Sequence, residues 1–241
     1  MKLEEVGDDI YACVPDKAAS GRSSSGFVDA GGGVVIDTQC DLVHARRMLE
    51  LFGRVWRWPP RHVVNTHEHR GHSWGNQLFP NADILAHGLQ LDGTEIHLIH
   101  VGPCHSQADT LVHLPAAGVL FTGDVVCRDL TPLVTGCFEN CLSVLDWIVE
   151  LDPEVIVPGH GPVCGIEGVM DAKAYVAYVW LEARKHFRAG RSALDAAQHI
   201  ELGTFAAWSE PERLYLNVEQ AFRELGGVQV VASQRSERGI E

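Results

Sequence analysis

Three histidines fall within six residues at His67, His69 and His72, in the run Thr66-His67-Glu68-His69-Arg70-Gly71-His72. Imidazoles this close in sequence can converge on one metal only if a tight loop holds them. The apolar run His62-Val63-Val64-Asn65 reads as a strand that delivers such a loop at its C-terminal end. Three later stretches carry the same kind of donor, most of them behind a hydrophobic strand. They are Gly102-Pro103-Cys104-His105-Ser106-Gln107-Ala108-Asp109, Phe121-Thr122-Gly123-Asp124 and Val157-Pro158-Gly159-His160-Gly161. Imidazole nitrogen and carboxylate oxygen are the donors that zinc prefers, and catalytic sites keep a position open for water or substrate.

Composition narrows the setting. With 241 residues, 46% hydrophobic and 21% charged, the chain is long enough to bury a core and reads as an ordinary globular protein. A formal charge of −13 argues against a phosphate-tracking surface, so no nucleic-acid partner is expected. The acidic start Met1-Lys2-Leu3-Glu4-Glu5 lacks the apolar stretch of a secretory signal, and no uncharged run approaches membrane-spanning length. The seven cysteines, an odd number in apolar surroundings, suit a reducing compartment and read as small buried hydrophobes, the pair Cys137 and Cys141 included. A cytoplasmic protein that neither spans nor binds a membrane is the expectation.

Along the chain, Asp9 to Val14 and Gly26 to Thr38 read as strands, the second broken by the turn triplet Gly31-Gly32-Gly33. Asp41 to Phe52 has helical apolar spacing and is stopped by Trp58-Pro59-Pro60. Short strands are expected at 84–86, 95–101, 110–114, 119–122 and 154–157, with a helix at 144–151. From about Val169 the pattern is helical, at 169–188, 192–199 and 211–225, and 233–241 reads as a frayed end. The junction between His87 and Leu91 is abnormally short. His44, His62, His87, His97, His100, His113, His186 and His199 read as surface or core histidines, His87 lying nearest the site.

In this order, the four blocks resemble the metallo-β-lactamase superfamily of metal-dependent hydrolases over roughly residues 8 to 162. The resemblance implies an α/β fold, an αββα four-layer sandwich in one domain spanning 1–241. The core is expected at about 8–165, with a helical C-terminal extension at about 166–232 that packs on the sandwich and walls one side of the site. Matched motif to motif, His67, His69 and His105 would hold a first metal. Asp124 would bridge to a second, completed by His72 and His160. Asp109 would either support a ligand from behind or cap its turn.

The sequence departs from the family at one position. The signature His-x-His-x-Asp-His places an aspartate at residue 71, where this chain has Gly71. The expectation is therefore one firmly bound Zn2+ and a weak or absent second metal, with iron or manganese as alternatives. Arg70, beside the gap, is a candidate docking fork for a substrate carboxylate or enolate, and a solvated loop arginine is its bland reading. Asp124 and Arg70 are the candidate catalytic residues.

The reaction implied is hydrolysis of an ester, thioester or lactone by water whose pKa the metal lowers from about 15.7 to roughly 7. The partner would be a small acyl substrate, free or bound to a carrier protein. An alternative is a metal-assisted, aldol-type cyclase or thioesterase of polyketide biosynthesis, because Gly75-Asn76-Gln77-Leu78-Phe79-Pro80, Phe205-Ala206-Ala207-Trp208 and Glu212-Arg213-Leu214 look similar to bacterial members. A third is a non-catalytic binding protein on a decayed scaffold. Oligomeric state is open at this level.

Overall fold

Two β-sheets lie face to face in the computed structural model, which describes residues 1–19, 21–84, 89–91 and 93–226. The first sheet runs β1 (Lys2–Gly7), β2 (Ile10–Val14), β3 (Ser25–Val28), β4 (Val34–Ile36), β5 (His62–Val64) and β6 (Asp83–Ile84), each hydrogen-bonded to the next. The second has the order β11 (Val155–His160), β10 (Val119–Cys127), β9 (Asp109–Leu114), β8 (Thr94–Gly102) and β7 (Leu89–Leu91). Strands β4, β5 and β6 are mutually parallel, as are β10 and β11, while the remaining pairs are antiparallel.

Apolar residues fill three layers. Between the sheets, Ile10, Val28, Val34, Ile36 and Val64 meet Ile96, Val112, Leu114, Phe121 and Val157. On the outer face of the first sheet, α1 (Leu42–Phe52) lays Met48, Leu51 and Phe52 on Cys13, Phe27, Val35 and Val63. That helix starts where it does because the Asp41 carboxylate accepts from the His44 backbone N–H at 2.8 Å and caps the first turn. Phe52 is fully buried, and its truncation to alanine is worth about 3–5 kcal/mol.

The outer face of the second sheet carries α3 (Phe138–Leu151), α4 (Ile166–Arg188), α5 (Ala193–His199) and α6 (Arg213–Leu225). In α4 the buried residues Val169, Ala172, Val176, Val179 and Ala183 recur at helical spacing and join one core with α3 and α6. The result is the expected αββα sandwich, with the C-terminal helices forming part of its fourth layer.

Several boundaries differ from the sequence reading. The first sheet starts at Lys2, earlier than the expected residue 8, because the acidic segment 2–7 pairs antiparallel with β2. Helix α3 starts at Phe138, not Val144, and the Cys137 sulfur caps it by accepting from Asn140 N–H at 3.4 Å. Strand β10 runs on to Cys127 through register shifts at Gly123, beyond the expected end at Thr122. The junction at 87–91, His87 itself and the tail at 233–241 lie outside the described residues, apart from the strand backbone of β7.

The cysteines are all free, but they are not all buried. Cys13, Cys104, Cys127 and Cys141 are buried as expected, whereas Cys40, Cys137 and Cys164 are half-buried. Cys40 and Cys137 are exposed enough to act as polar groups: Cys40 donates to the Gly21 carbonyl and Cys137 lies 3.2 Å from Glu224 Oε1.

Candidate metal centre

His67, His69 and His72 follow β5 and His105 follows β8, while Asp124 lies within β10 and His160 is the last residue of β11. The loop after β5 is fastened by Asp37, which follows β4. Its carboxylate accepts from Thr66 N–H and Thr66 Oγ1, both at 2.8 Å, and from His72 Nδ1–H at 2.7 Å. Asp37 does this from a left-handed backbone, φ 57°, a conformation that aspartate tolerates better than most side chains. The one-turn helix α2 (Arg70–Ser73) then swings His72 back toward the sheet, and the His72 carbonyl accepts from Thr38 N–H at 2.7 Å and Asn65 Nδ2 at 2.9 Å.

The loop carrying His105 is held from inside. Asp109 accepts from Cys104 N–H (3.1 Å), Ser106 N–H (2.9 Å) and Ser106 Oγ (2.9 Å), so its role is to cap the turn; it makes no hydrogen bond to a ligand ring. Room for Asp124 comes from Gly159 on the neighbouring strand, where a Cβ atom would stand 2.1 Å from Asp124 Oδ1.

The side chains converge. His105 Nε2 stands 2.9 Å from His69 Nδ1 and 3.4 Å from Asp124 Oδ2. His160 Nε2 is 3.2 Å from Asp124 Oδ2, and His72 Nε2 is 3.1 Å from Asp124 Oδ1. The donor atoms of His67, His69 and His105 lie within 4.8 Å of one another, as do those of His67, His72 and Asp124. Asp124 thus has one oxygen beside His105 and His160 and the other beside His72, the placement of a bridging carboxylate.

Four of the five rings are oriented from behind. The Nδ1–H groups of His67, His72, His105 and His160 donate to Thr66 Oγ1 (3.1 Å), Asp37 Oδ2 (2.7 Å), the Leu133 carbonyl (2.7 Å) and the Arg22 carbonyl (3.0 Å). Each bond fixes the tautomer that leaves Nε2 free as a ligand, as outer partners of metal-bound histidines do. Inside the cluster, His67 Nε2, His72 Nε2 and Asp124 Oδ1 are buried without a well-aligned hydrogen bond. Leaving such atoms unpaired is costly, and a cation satisfies them together. The gaps of 2.9–3.4 Å between neighbouring donors are close to the edge, about 3.3 Å, of a zinc tetrahedron with ~2.0 Å bonds. The donor set therefore fits the metal that the sequence implied.

Protonation divides the cluster. Burial pushes the His67 imidazolium down to about 2 and also lowers His105. Burial acts the same way on His72, but the carboxylates of Asp124 and Asp37 on either side outweigh it and raise that ring to about 10. For Asp124, burial is outweighed by His160, His72 and His105, which keep it ionised well below the ordinary carboxylate range.

At position 71 a Cβ atom would meet nothing within 4 Å, and the residue is not in a left-handed conformation. Glycine is required there by neither space nor backbone.

Arg70 does not take the expected place. Its guanidinium carbon lies 3.5 Å from the centre of the exposed Trp74 ring, and among the described residues no hydrogen bond or ion pair joins it to a ligand. The flat cation gains more over an indole face than beside a cluster already set for cations. The supporting groups Asp37, Thr66, Leu133 and Arg22 were not anticipated. Only Asp37 leaves a trace in the sequence, as an acid ending the strand run Val34-Val35-Ile36.

The metallo-beta-lactamase superfamily model matches residues 80–160, which include His105, Asp124 and His160. A curated relative, the 2,4-dinitroanisole O-demethylase subunit alpha of Nocardioides sp. (strain JS1661), is 27% identical over 142 residues, covering 43% of this chain and 41% of the relative. Among solved structures, the stereoselective inverting sec-alkylsulfatase Pisa1 from Pseudomonas sp. superposes with a TM-score of 0.71 at 15% identity, over 94% of this chain and 50% of the sulfatase. A metallo-beta-lactamase from Pontibacter korlensis superposes with a TM-score of 0.61 at 17% identity, over 73% of this chain and 98% of the lactamase. The chain thus spans half or less of the length of the demethylase subunit and of the sulfatase. The family model thus matches the stretch 80–160, and the likeness to the solved structures shows that the chain shares their fold.

Proposed function

We propose that the protein is a metal-dependent hydrolase of a small ester, thioester or lactone, free or carrier-bound. The observation that carries this reading is the inward convergence of five imidazoles and Asp124, with buried His67 Nε2, His72 Nε2 and Asp124 Oδ1 left without hydrogen-bond partners. His67, His69 and His105 would hold the first metal, and His72, His160 and Asp124 the second. When bound, such a metal polarises a carbonyl and brings the pKa of water to roughly 7.

The chain's own residues set the rest. Asp37, Thr66 and the Leu133 and Arg22 carbonyls keep the rings aimed before substrate arrives. Gly71 supplies no acid or base, so the proton released in hydrolysis passes to solvent, to Asp124 or to a group on the substrate. Glu68, exposed between two ligands with Oε2 3.4 Å from Ser106 Oγ, is a further carboxylate beside the first trio. The charge of −13 argues against a nucleic-acid partner, and seven free cysteines suit a cytoplasmic setting. The names of the similar proteins, an O-demethylase subunit, an alkylsulfatase and a lactamase, differ in the group attacked. They support a shared scaffold and leave the substrate to be found by assay.

One observation favours a second reading. The open space at Gly71 removes a carboxylate that hydrolysis would use and that a Lewis-acid aldol cyclisation would not need. Incubation of the zinc-loaded protein with acyl-thioesters and with a poly-β-ketone mimic, followed by product analysis, decides between them. Free acid that disappears with chelator and in His69→Ala supports the hydrolase. Ring closure without release of acid would replace it with the cyclase, and no turnover of any substrate with metal bound would leave a binding protein.

A further inference from the structure

The C-terminal helix α6 reaches the metal centre through one segment. Asn217 is fully buried on α6, its Oδ1 accepting from Val134 N–H at 2.8 Å and its Nδ2 donating to the Pro132 carbonyl at 2.8 Å and to Tyr175 Oη at 2.9 Å. Arg213 donates to the Thr131 carbonyl at 2.9 Å, and Gln220 Nε2 to the Gly136 carbonyl at 2.6 Å. Three side chains of one helix thus hold the segment 131–136 at four residues, 131, 132, 134 and 136.

That segment is laid directly on the loop of a metal ligand. The Leu133 carbonyl accepts the Nδ1–H of His105 at 2.7 Å. Thr135 donates twice to the His105 carbonyl, from its N–H at 2.9 Å and its Oγ1 at 2.7 Å, and Gly136 N–H donates to the Cys104 carbonyl at 3.2 Å. The approach is so close that a Cβ atom on residue 136 would stand 2.3 Å from the Ser106 carbonyl. On the other side, Tyr175 is packed against Phe205 and Trp208, with ring centres 5.4 and 5.8 Å away.

We propose that Asn217 is a positioning residue for the first metal, acting through the 131–136 segment on the ring of His105. Leu133 offers a backbone carbonyl, so its aim depends on where the segment lies and not on its own side chain. Asn217, itself fully buried, fixes that position from both flanks, through Pro132 and Val134. Outer partners of this kind are worth 10- to 100-fold in metal affinity. The inference rests on reading the His67, His69 and His105 trio as a metal site.

The test is zinc affinity of the full chain, by competition with a chromophoric chelator, with the visible spectrum of the cobalt-substituted protein as second readout. Asn217→Leu is expected to weaken the first equivalent by about 10- to 100-fold and to alter the cobalt bands. Tyr175→Phe removes one partner of Asn217 but leaves its two bonds to the segment, and is expected to melt earlier with zinc affinity unchanged. Thr135→Val, which deletes the hydroxyl contact to the His105 carbonyl and leaves the N–H one, carries the test if Asn217→Leu does not fold, and should weaken zinc in the same direction. Wild-type affinity in Asn217→Leu, or in Thr135→Val where the former does not fold, would overturn the proposal. So would an equal loss in Tyr175→Phe, which would trace the effect to general stability. Failure of the wild type to bind zinc would instead overturn the metal-centre reading itself.

Discussion

The two halves of the metal centre are built with opposite strengths. The first trio, His67, His69 and His105, has a full set of imidazoles, but His69 is half-exposed and no ring nitrogen of it is tied to a group outside the cluster in the described contacts. The second, His72, His160 and Asp124, is almost wholly buried and better aimed, with His72 held by the Asp37 carboxylate at 2.7 Å. Yet Gly71 beside it offers no donor side chain, and His72 holds a proton that a metal must displace. Good orientation does not make up for a missing donor and a proton to expel, so the better-built half should bind its metal more weakly.

The comparison can be broken at its strongest point first. His69→Ala removes a first-trio ligand and is expected to cost more than about 100-fold in affinity of the first zinc, beyond the range of outer partners, and to abolish turnover. Chelator competition and the substrate assay check both, and full activity would defeat the ligand assignment. Asp37→Asn is next. It should weaken the second equivalent by about 10- to 100-fold, and the first by less because Asp37 reaches His67 only through Thr66, read by the same titration.

Gly71→Asp sharpens the comparison from the other side. Because a Cβ there meets nothing, the variant should fold with an unchanged melting temperature and gain at least about tenfold in second-site affinity, the order by which even an outer partner changes it. Unchanged second-site binding would show that the gap is not why that half is weak.

Acidity should separate the halves as well. His67 is neutral across the working range, whereas His72 stays protonated up to about 10. Raising pH from 6 to 8, an interval about 2 units wide, should therefore tighten the second equivalent by up to about tenfold per unit and the first by less. Calorimetry in buffers of different ionisation heat would count the proton released. The smallest effect expected is that of Arg70→Ala, which removes an exposed stack on Trp74 worth about 0.5–1 kcal/mol and should shift the melting temperature slightly with little change in turnover.

What the sequence disclosed follows from how local each cause is. Helix α1 was legible because its cap, Asp41, and its stripe lie within 12 residues, 41–52. The six candidate ligands were legible because each ends or follows a short apolar strand in a familiar order. The Asp37 contact was not, since it joins residues 29 positions apart across a parallel strand pair. The Leu133 and Arg22 carbonyls were illegible for a different reason: any residue type supplies a carbonyl, so nothing in the sequence marks the one that aims a ring.

The C-terminal tail shows the same limit. Its helices were predictable from periodicity, but their expected role as a wall of the site becomes a brace behind His105, because Asn217 and Gln220 turn toward the 131–136 segment. Arg70 shows the opposite limit: its place beside the candidate ligands was plain in sequence, whereas its stacking on a tryptophan four residues on was not.

The most direct test of the account is stepwise zinc binding to the unmodified chain, measured by elemental analysis after chelator-free purification and by competition titration. The account predicts one firmly held equivalent and a second at least about tenfold weaker, lost first as pH falls. Two equally tight equivalents would contradict the asymmetry, and no bound zinc would contradict the metal centre altogether.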